Sequence, residues 1–459
     1  MLKKKLHTAL KFILCCIAAI DAHAQLPTSV TLSETVINAQ TTVDINTVKV
    51  GFIIIGGDIT VKGSPGPFLN VDFPVSPSMD LGVLNVKAVY NGLIALGYAT
   101  EIQLSTDPKH IFNGLGLLGD TYVNYRIPIA GRAWLAGKYQ TTLIYSAPLS
   151  SPLFTITVSP YLTKTSTVPL TTALLVNSFD MFRSNGISSG DIGFGYGTTL
   201  PTEVQVKAKN TSDFTFAPSY ATAEVIVPPA STTLKSALTT PVGLTKSITS
   251  NNQLISLSSG LPVVVTNKRN LNTAFSISAA DLKASFKRAG IYKIPVTYTI
   301  NNTSDYFGSA TSTTMETSVE VTVPGMSDIK VPVSNVSLDF NNRTAYTAGV
   351  TTGIINQVKL SSTVPYNITV KSTSTAFTNT LDASTIPLSV VTIEGMSGQT
   401  GITPIVLSTL PQAIITNGTP VIDQSLNLQY RIPAAQITNI MGKTQGTYNA
   451  TIVYTIVAP

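Results

Sequence analysis

Along most of the chain, apolar residues fall at every second position, in short runs broken by Gly, Pro, Asn and Ser. Near the C-terminus Tyr448, Ala450, Ile452, Tyr454 and Ile456 share one face of such a run, while Asn449, Thr451 and Thr455 share the other. A period of two predicts a strand with one buried and one wet face. Tyr139, Thr141, Leu143 and Tyr145 repeat the pattern, as do Tyr292, Ile294, Val296, Tyr298 and Ile300. Each run opens on Gly-x-Tyr, at Gly137, Gly290 and Gly446. Pro295 removes a ladder donor from the middle copy, so an edge or bulge is expected beside it. Many short strands separated by turn residues indicate a sandwich or barrel. The helical hints are brief, Ala279 to Gly290 and Pro433 to Gly442, and both lie just before a Gly-x-Tyr.

The repeat extends upstream. Ile59-Thr60-Val61-Lys62 stands 78 residues before Gly137, and the identical Ile368-Thr369-Val370-Lys371 stands 78 before Gly446. Val204-Gln205-Val206-Lys207 is the middle version, and a Phe follows each string at Phe68, Phe214 and Phe377. Phe73-Pro74-Val75-Ser76 echoes Ile386-Pro387-Leu388-Ser389. Tyr125-Arg126-Ile127-Pro128 matches Tyr430-Arg431-Ile432-Pro433, with Phe275-Ser276-Ile277 between them. Features in one order, with Gly-to-Gly spacings of 153 and 156 residues, make a three-fold tandem repeat. The breakers Ser159-Pro160 and Pro324-Gly325 then divide the chain into 25–160, 161–325 and 326–459. The first two copies are followed by a further strand, LFTITV and TSVEVTV, and the third is not. Those strands either open the next domain or close their own, in which case the last domain is one strand short.

The short helix followed by Gly-x-Tyr resembles the tyrosine corner of immunoglobulin-like sandwiches. There a Tyr at the start of a strand bonds back to main chain a few residues upstream. The resemblance implies this role for Gly137 and Tyr139, Gly290 and Tyr292, and Gly446 and Tyr448. The family's Asp two before the Gly is replaced by Leu135, Arg288 and Thr444, and its Cys two after the Tyr by Thr141, Ile294 and Ala450. The chain is therefore unlike antibody domains and similar to the disulfide-free modules stacked in bacterial surface proteins and fimbrial subunits. An all-β fold of three tandem Ig-like antiparallel sandwiches is expected.

Composition adds a location. Lys3, Lys4, Lys5 and Lys11 precede or flank the apolar stretch Phe12 to Ile20, and Ala22-His23-Ala24 is a small-x-small cleavage site. Residues 1–24 thus read as an export signal, too short to remain as a membrane anchor. Its removal takes four Lys, one Asp and both cysteines, Cys15 and Cys16, so the formal charge falls from +6 to +3. A weak charge on a chain with only 11% charged residues points away from nucleic acid. Without disulfides, stability has to come from core burial.

Candidate chemistry is sparse. His7 and His23 leave with the signal, so His110 is the single mature histidine, and Cys/His catalysis and zinc sites are excluded. The stretch around it, Asp107 to Phe112, carries no Gly-x-Ser-x-Gly elbow. Asp72, Asp80, Glu101 and Asp107 form the densest carboxylate stretch and read as a solvated rim. Neither GFGYG near Gly193 nor the stretch around Asp191 carries the oxygen ligands of a calcium loop. No catalytic, metal or cofactor residue is assigned. Trp134, the one tryptophan, reads first as a core plug and second as a platform for stacking a sugar ring, which Tyr90, Tyr98 and Tyr161 would extend.

The leading reading is an exported, non-enzymatic surface or fibre protein acting as a structural or adhesive repeat module. Its partners are other surface proteins or glycans, with a homopolymer as a further option. The rivals are a carbohydrate-binding module of a polysaccharide-uptake system and a fimbrial subunit that polymerises by strand sharing. In the last case Thr447–Pro459 or Thr31–Ile45 is the candidate donor strand.

Overall fold

The computed structural model describes residues 28–39, 41–72, 78–146, 149–222, 228–303 and 311–457. The export signal and the Phe73–Ser76 echo lie outside the described residues.

The chain is all-β and builds three sandwiches in succession. The first contains β1 (Thr28–Leu32), β2 (Thr42–Gly56), β3 (Ile59–Gly63), β4 (Leu69–Asn70), β5 (Asn85–Ala99), β6 (Ile102–Gln103), β7 (Lys109–Pro128), β8 (Gly137–Tyr145) and β9 (Leu153–Val158). The second contains β10 (Leu162–Ser166), β11 (Thr171–Leu175), β12 (Ile187–Ser188), β13 (Ile192–Thr198), β14 (Thr202–Ala208), β15 (Thr215–Pro218), β16 (Leu234–Thr240), β17 (Thr245–Ser247), β18 (Gln253–Leu254), β19 (Lys268–Ile277), β20 (Gly290–Asn302) and β21 (Ser312–Val323). The third contains β22 (Ser327–Lys330), β23 (Gly349–Ser362), β24 (Tyr366–Ser372), β25 (Ala376–Asn379), β26 (Thr385–Pro387), β27 (Thr392–Gly395), β28 (Ile405–Val406), β29 (Gln412–Gly418), β30 (Val421–Pro433), β31 (Tyr448–Asn449) and β32 (Ile452–Val457).

The strands that repeat in sequence repeat in register. Val61 faces Tyr145, Val206 faces Tyr298 and Val370 faces Tyr454. So the Ile-Thr-Val-Lys strand and the Gly-x-Tyr strand are antiparallel neighbours in all three units. In the first unit the ladder continues as β1-β9-β8-β3, and in the second as β11-β21-β20-β14. LFTITV and SVEVTV therefore close their own sandwiches, each antiparallel to its Gly-x-Tyr strand and parallel to an early strand of its unit, β1 or β11. Pro295 sits where β20 changes neighbours, between Lys293, which pairs with β15, and Val296, which pairs with β14, so its missing N–H breaks no ladder. The helical hints become a helix over Ala279–Ser285, capped by the Ser278 hydroxyl on the Asp281 N–H, and a 3-10 turn over Ala434–Asn439.

Each sandwich has its own apolar core. One runs from Leu32 to Tyr161, one from Leu162 to Val323, and one from Val358 to Ile437. Ile422, from the third unit, packs into the second core. In the first unit's nine-stranded sheet β2, β7 and β5 lie side by side, and glycines meet face to face there. A Cβ on Gly97 would lie 2.1 Å from the Asn113 carbonyl oxygen. Leu93, Leu96 and Tyr98 are exposed on β5.

The two joints between units differ chemically. At the first, the buried Asn267 side chain accepts from the Trp134 N–H (3.0 Å) and donates to the carbonyls of Trp134 (2.7 Å) and Thr198 (2.8 Å). At the second, Arg183 meets Asp423 (2.9 Å) and Asp328 (3.4 Å), and Lys283 also reaches Asp423 (3.4 Å). Desolvation opposes the charge on Asp423, but Arg183 and Lys283 prevail and hold its pKa below the usual carboxylate value. Half-exposed ion pairs are screened by salt, whereas a buried amide is not. Asn267→Ala is expected to destabilise by about 2–3 kcal/mol regardless of salt, because it orphans buried main-chain groups. Asp423→Asn is expected to cost about 1 kcal/mol or less, with the loss vanishing at high salt. Denaturant unfolding at two ionic strengths checks both.

Candidate functional site: tyrosine corners and an open sheet edge

The three Gly-x-Tyr segments occupy equivalent places. Tyr139 Oη donates to the Leu135 carbonyl (3.0 Å), Tyr292 Oη to that of Arg288 (3.1 Å) and Tyr448 Oη to that of Thr444 (2.8 Å). In each case the acceptor lies four residues upstream, so the bond closes the crossover onto the start of the strand. The glycines share φ values of 155°, 152° and 154°, where a side chain is strained. Space excludes a side chain too. A Cβ would fall 2.5 Å from Asn70 Nδ2 at Gly137, 2.4 Å from the Ala217 carbonyl oxygen at Gly290, and 2.7 Å from Asn379 Oδ1 at Gly446.

Sequence reasoning missed the asparagines. Asn70 pairs with Tyr139 and Asn379 with Tyr448, and their side chains accept from the N–H groups of Asp72 and Leu381 respectively. Each lies two residues after the repeated Phe, and that spacing was the available signal. The second unit has Phe216 there instead, stacked on Tyr292 at 4.3 Å.

Behind each corner lies a second aromatic level. Tyr125 and Tyr145 share a hydroxyl–hydroxyl bond of 2.9 Å, and Tyr430 and Tyr454 make the same pair in the third unit. In the second, Phe275 replaces one partner and Tyr298 accepts from Thr273 Oγ1 at 3.0 Å. Burial pushes the Tyr125 and Tyr298 hydroxyls up to about 12.

What separates the units is the edge beyond the Gly-x-Tyr strand. Tyr139 is 2% exposed and Tyr292 1%, with Thr141, Leu143, Ile294, Val296 and Tyr298 also buried. In the third unit Tyr448, Ala450, Ile452, Tyr454 and Ile456 are all partly exposed, and Gly446 is exposed. The cause is topological. β32 pairs with β24 on one side, and among the described residues no strand pairs with its other side. The segment 331–340 carries Val336, Leu338 and Phe340 against the core, yet it forms no ladder. The counterpart segments β1 and β11 pair with the closing strands β9 and β21. Instead Val333 and Ser337 are bonded by side chains of β23, and β32 is left with apolar side chains and unpaired backbone along its outer edge.

The other sequence candidates lie elsewhere. Trp134 is 2% exposed, and its indole N–H bonds the Ile129 carbonyl at 3.0 Å. Its ring is a core side chain with no face free to stack a sugar, which corrects the platform reading. Tyr161 is also buried, while Tyr98 stands exposed on β5. His110 is exposed beside Asp58 at 3.6 Å, Glu101 binds Arg126 at 3.3 Å, and Asp80 caps a 3-10 turn. Both candidate donor strands are already engaged. Thr31–Ile45 is not one strand: it ends β1 on β9, turns through a helix over Glu34–Ala39 and starts β2 on β7, while β32 is held by β24 and offers a place to receive a strand. Among the described residues no three His, Cys, Asp or Glu side chains are placed to hold a metal, and no helix is long and apolar enough to cross a membrane.

No family model and no curated protein matches the chain. Among solved structures it is similar to the CsuC–CsuE chaperone–tip adhesion subunit complex of archaic Csu pili of Acinetobacter baumannii, at 12% identity and TM-score 0.32 over 64% of this chain and 99% of that one. It is also similar to CfaE, the adhesive subunit of CFA/I fimbria of enterotoxigenic Escherichia coli, at 11% and 0.30 over 65% and 99%. A third is the CupB6 tip adhesin of Pseudomonas aeruginosa, at 9% and 0.26 over 61% and 90%. These likenesses are loose, and the sandwich assignment rests on the strand pairings above.

Gly290→Ala is expected to destabilise more than Tyr292→Phe, which loses one hydrogen bond worth about 1 kcal/mol. Tyr448→Phe is expected to cost less than either, because its hydroxyl is already wet. Thermal unfolding of the three variants tests that order. Tyr125 and Tyr298 are neutral in the fold, while a free tyrosine ionises near about 10. Their stabilising contribution is complete below that pH and is lost as pH rises towards about 12. An absorbance titration that shows phenolate appearing together with unfolding would verify it.

Proposed function

We propose that this protein is an exported, non-enzymatic subunit of a surface fibre, with units spanning 25–160, 161–325 and 326–459, joined to its neighbour by a β-strand that the third unit receives. The observation that carries this reading is the uncovered outer edge of β32, in the place where β9 and β21 complete the first two sandwiches. A strand edge with a half-buried apolar face is a template for another strand. An incoming strand would supply main-chain bonds along β32 and apolar side chains over Ala450, Ile452 and Tyr454. It would run antiparallel to β32, as β9 does to β8. The Gly-x-Tyr corners then act structurally, fixing the strand onto which the partner zips. The first two units, being closed, serve as spacers and present their loops and the exposed side chains of β5 away from the joint.

The test uses the exported chain without residues 1–24. Mixing it with a synthetic strand of alternating apolar residues is expected to raise the melting temperature of the third unit, and hydrogen exchange is expected to slow along 452–457. A third unit that is already as protected along β32 as the second is along β20 would refute the reading.

A further inference from the structure

The two closed units show how the space above the corner is filled, and they do it by different routes. In the first, Phe154 of the closing strand stands opposite Thr141, with its ring between Phe68 (6.3 Å) and Tyr125 (4.9 Å). In the second, Val319 stands opposite the larger Ile294, and the aromatic comes from Phe286, just after the crossover helix. Phe286 packs edge-on against Phe214 (5.2 Å) and Tyr292 (4.9 Å). A small residue on the Gly-x-Tyr strand thus goes with a large one on the closing strand, and the reverse holds too.

The third unit keeps the frame but has no aromatic at either filling position. Phe377 matches Phe68, each standing two residues before the Asn that pairs with the corner tyrosine. Tyr430 bonds Tyr454 as Tyr125 bonds Tyr145. Position 450 is Ala, smaller than Thr141 or Ile294, and position 442, four before the corner glycine as Phe286 is, is Gly. Phe377 remains partly exposed where Phe68 and Phe214 are buried.

Resting on the strand-receiving role proposed above, we infer that the partner strand carries a large aromatic or long aliphatic side chain at the residue opposite Ala450, seated between Phe377 and Tyr430. The flanking positions follow from the closed units. Opposite Tyr448 belongs a β-branched residue, as Ile156 and Val321 are, and opposite Gly446 another, as Val158 and Val323 are. The recognition pattern therefore reads large, x, β-branched, x, β-branched, running towards the donor's C-terminus. Leaving that space empty forfeits the burial of a whole aromatic ring.

The probe is the chain's own closing strand, a peptide copying residues 151–159, titrated by calorimetry into the protein lacking residues 1–24. It is expected to bind at least about tenfold more tightly than the same peptide with Phe154→Ala. A peptide copying 317–325 is expected to gain affinity when Val319→Phe is introduced. Ala450→Phe in the protein is expected to abolish the preference for the larger side chain, and the peptide comparison stands even if that variant folds poorly. Equal affinity for the Phe and Ala peptides would overturn the inference and leave the strand-receiving role intact. Failure of every strand peptide to bind would overturn both.

Discussion

A strand inside a sandwich has two hydrogen-bonding edges and one apolar face, and the fold is stable there only when all three are covered. The Gly-x-Tyr strand is where this constraint acts in each unit. Its inner edge is taken by the Ile-Thr-Val-Lys strand in a register common to all three copies. Its outer edge is taken by a closing strand in two. Its position along the sheet is set by a tyrosine hydroxyl bonded four residues back, beside a glycine with no room for a side chain. Backbone pairing, core burial and corner geometry all bear on these few residues, so changes in them are felt through the whole unit.

Much of this was legible in the chain. Alternation at Tyr139–Tyr145, Tyr292–Ile300 and Tyr448–Ile456 announced half-buried strands, and the echo of Ile59–Lys62 in Ile368–Lys371 announced their partners. A period-two pattern reports burial directly, and repetition averages out local accidents. The oddity of Pro295 was readable for the same reason, since a missing donor has to fall where no neighbour needs it.

The rest depended on residues far apart in sequence. Nothing near Asn267 tells that its amide will grip the backbone of Trp134, 133 residues away. Arg183 and Asp423 are ordinary charged residues until two units are stacked. Whether Trp134 faced solvent or core turned on the packing of a neighbouring loop, which composition does not encode. The open edge of the third unit was half legible. The absent strand could be noticed, but only the pairing of β9 with β8 showed to which unit such strands belong. The exchange of Phe154 for Phe286 as the filling ring is likewise a matter of volume in three dimensions, and sequence comparison alone reads it as a mismatch.

On the strand-receiving reading proposed above, the bare flank of β32 has a bearing on the protein's life before assembly. A strand edge with apolar side chains beside it does not discriminate well among early visitors, and identical copies emerging together carry the same exposed flank. Passage from ribosome to final position is therefore a race between correct docking and clumping.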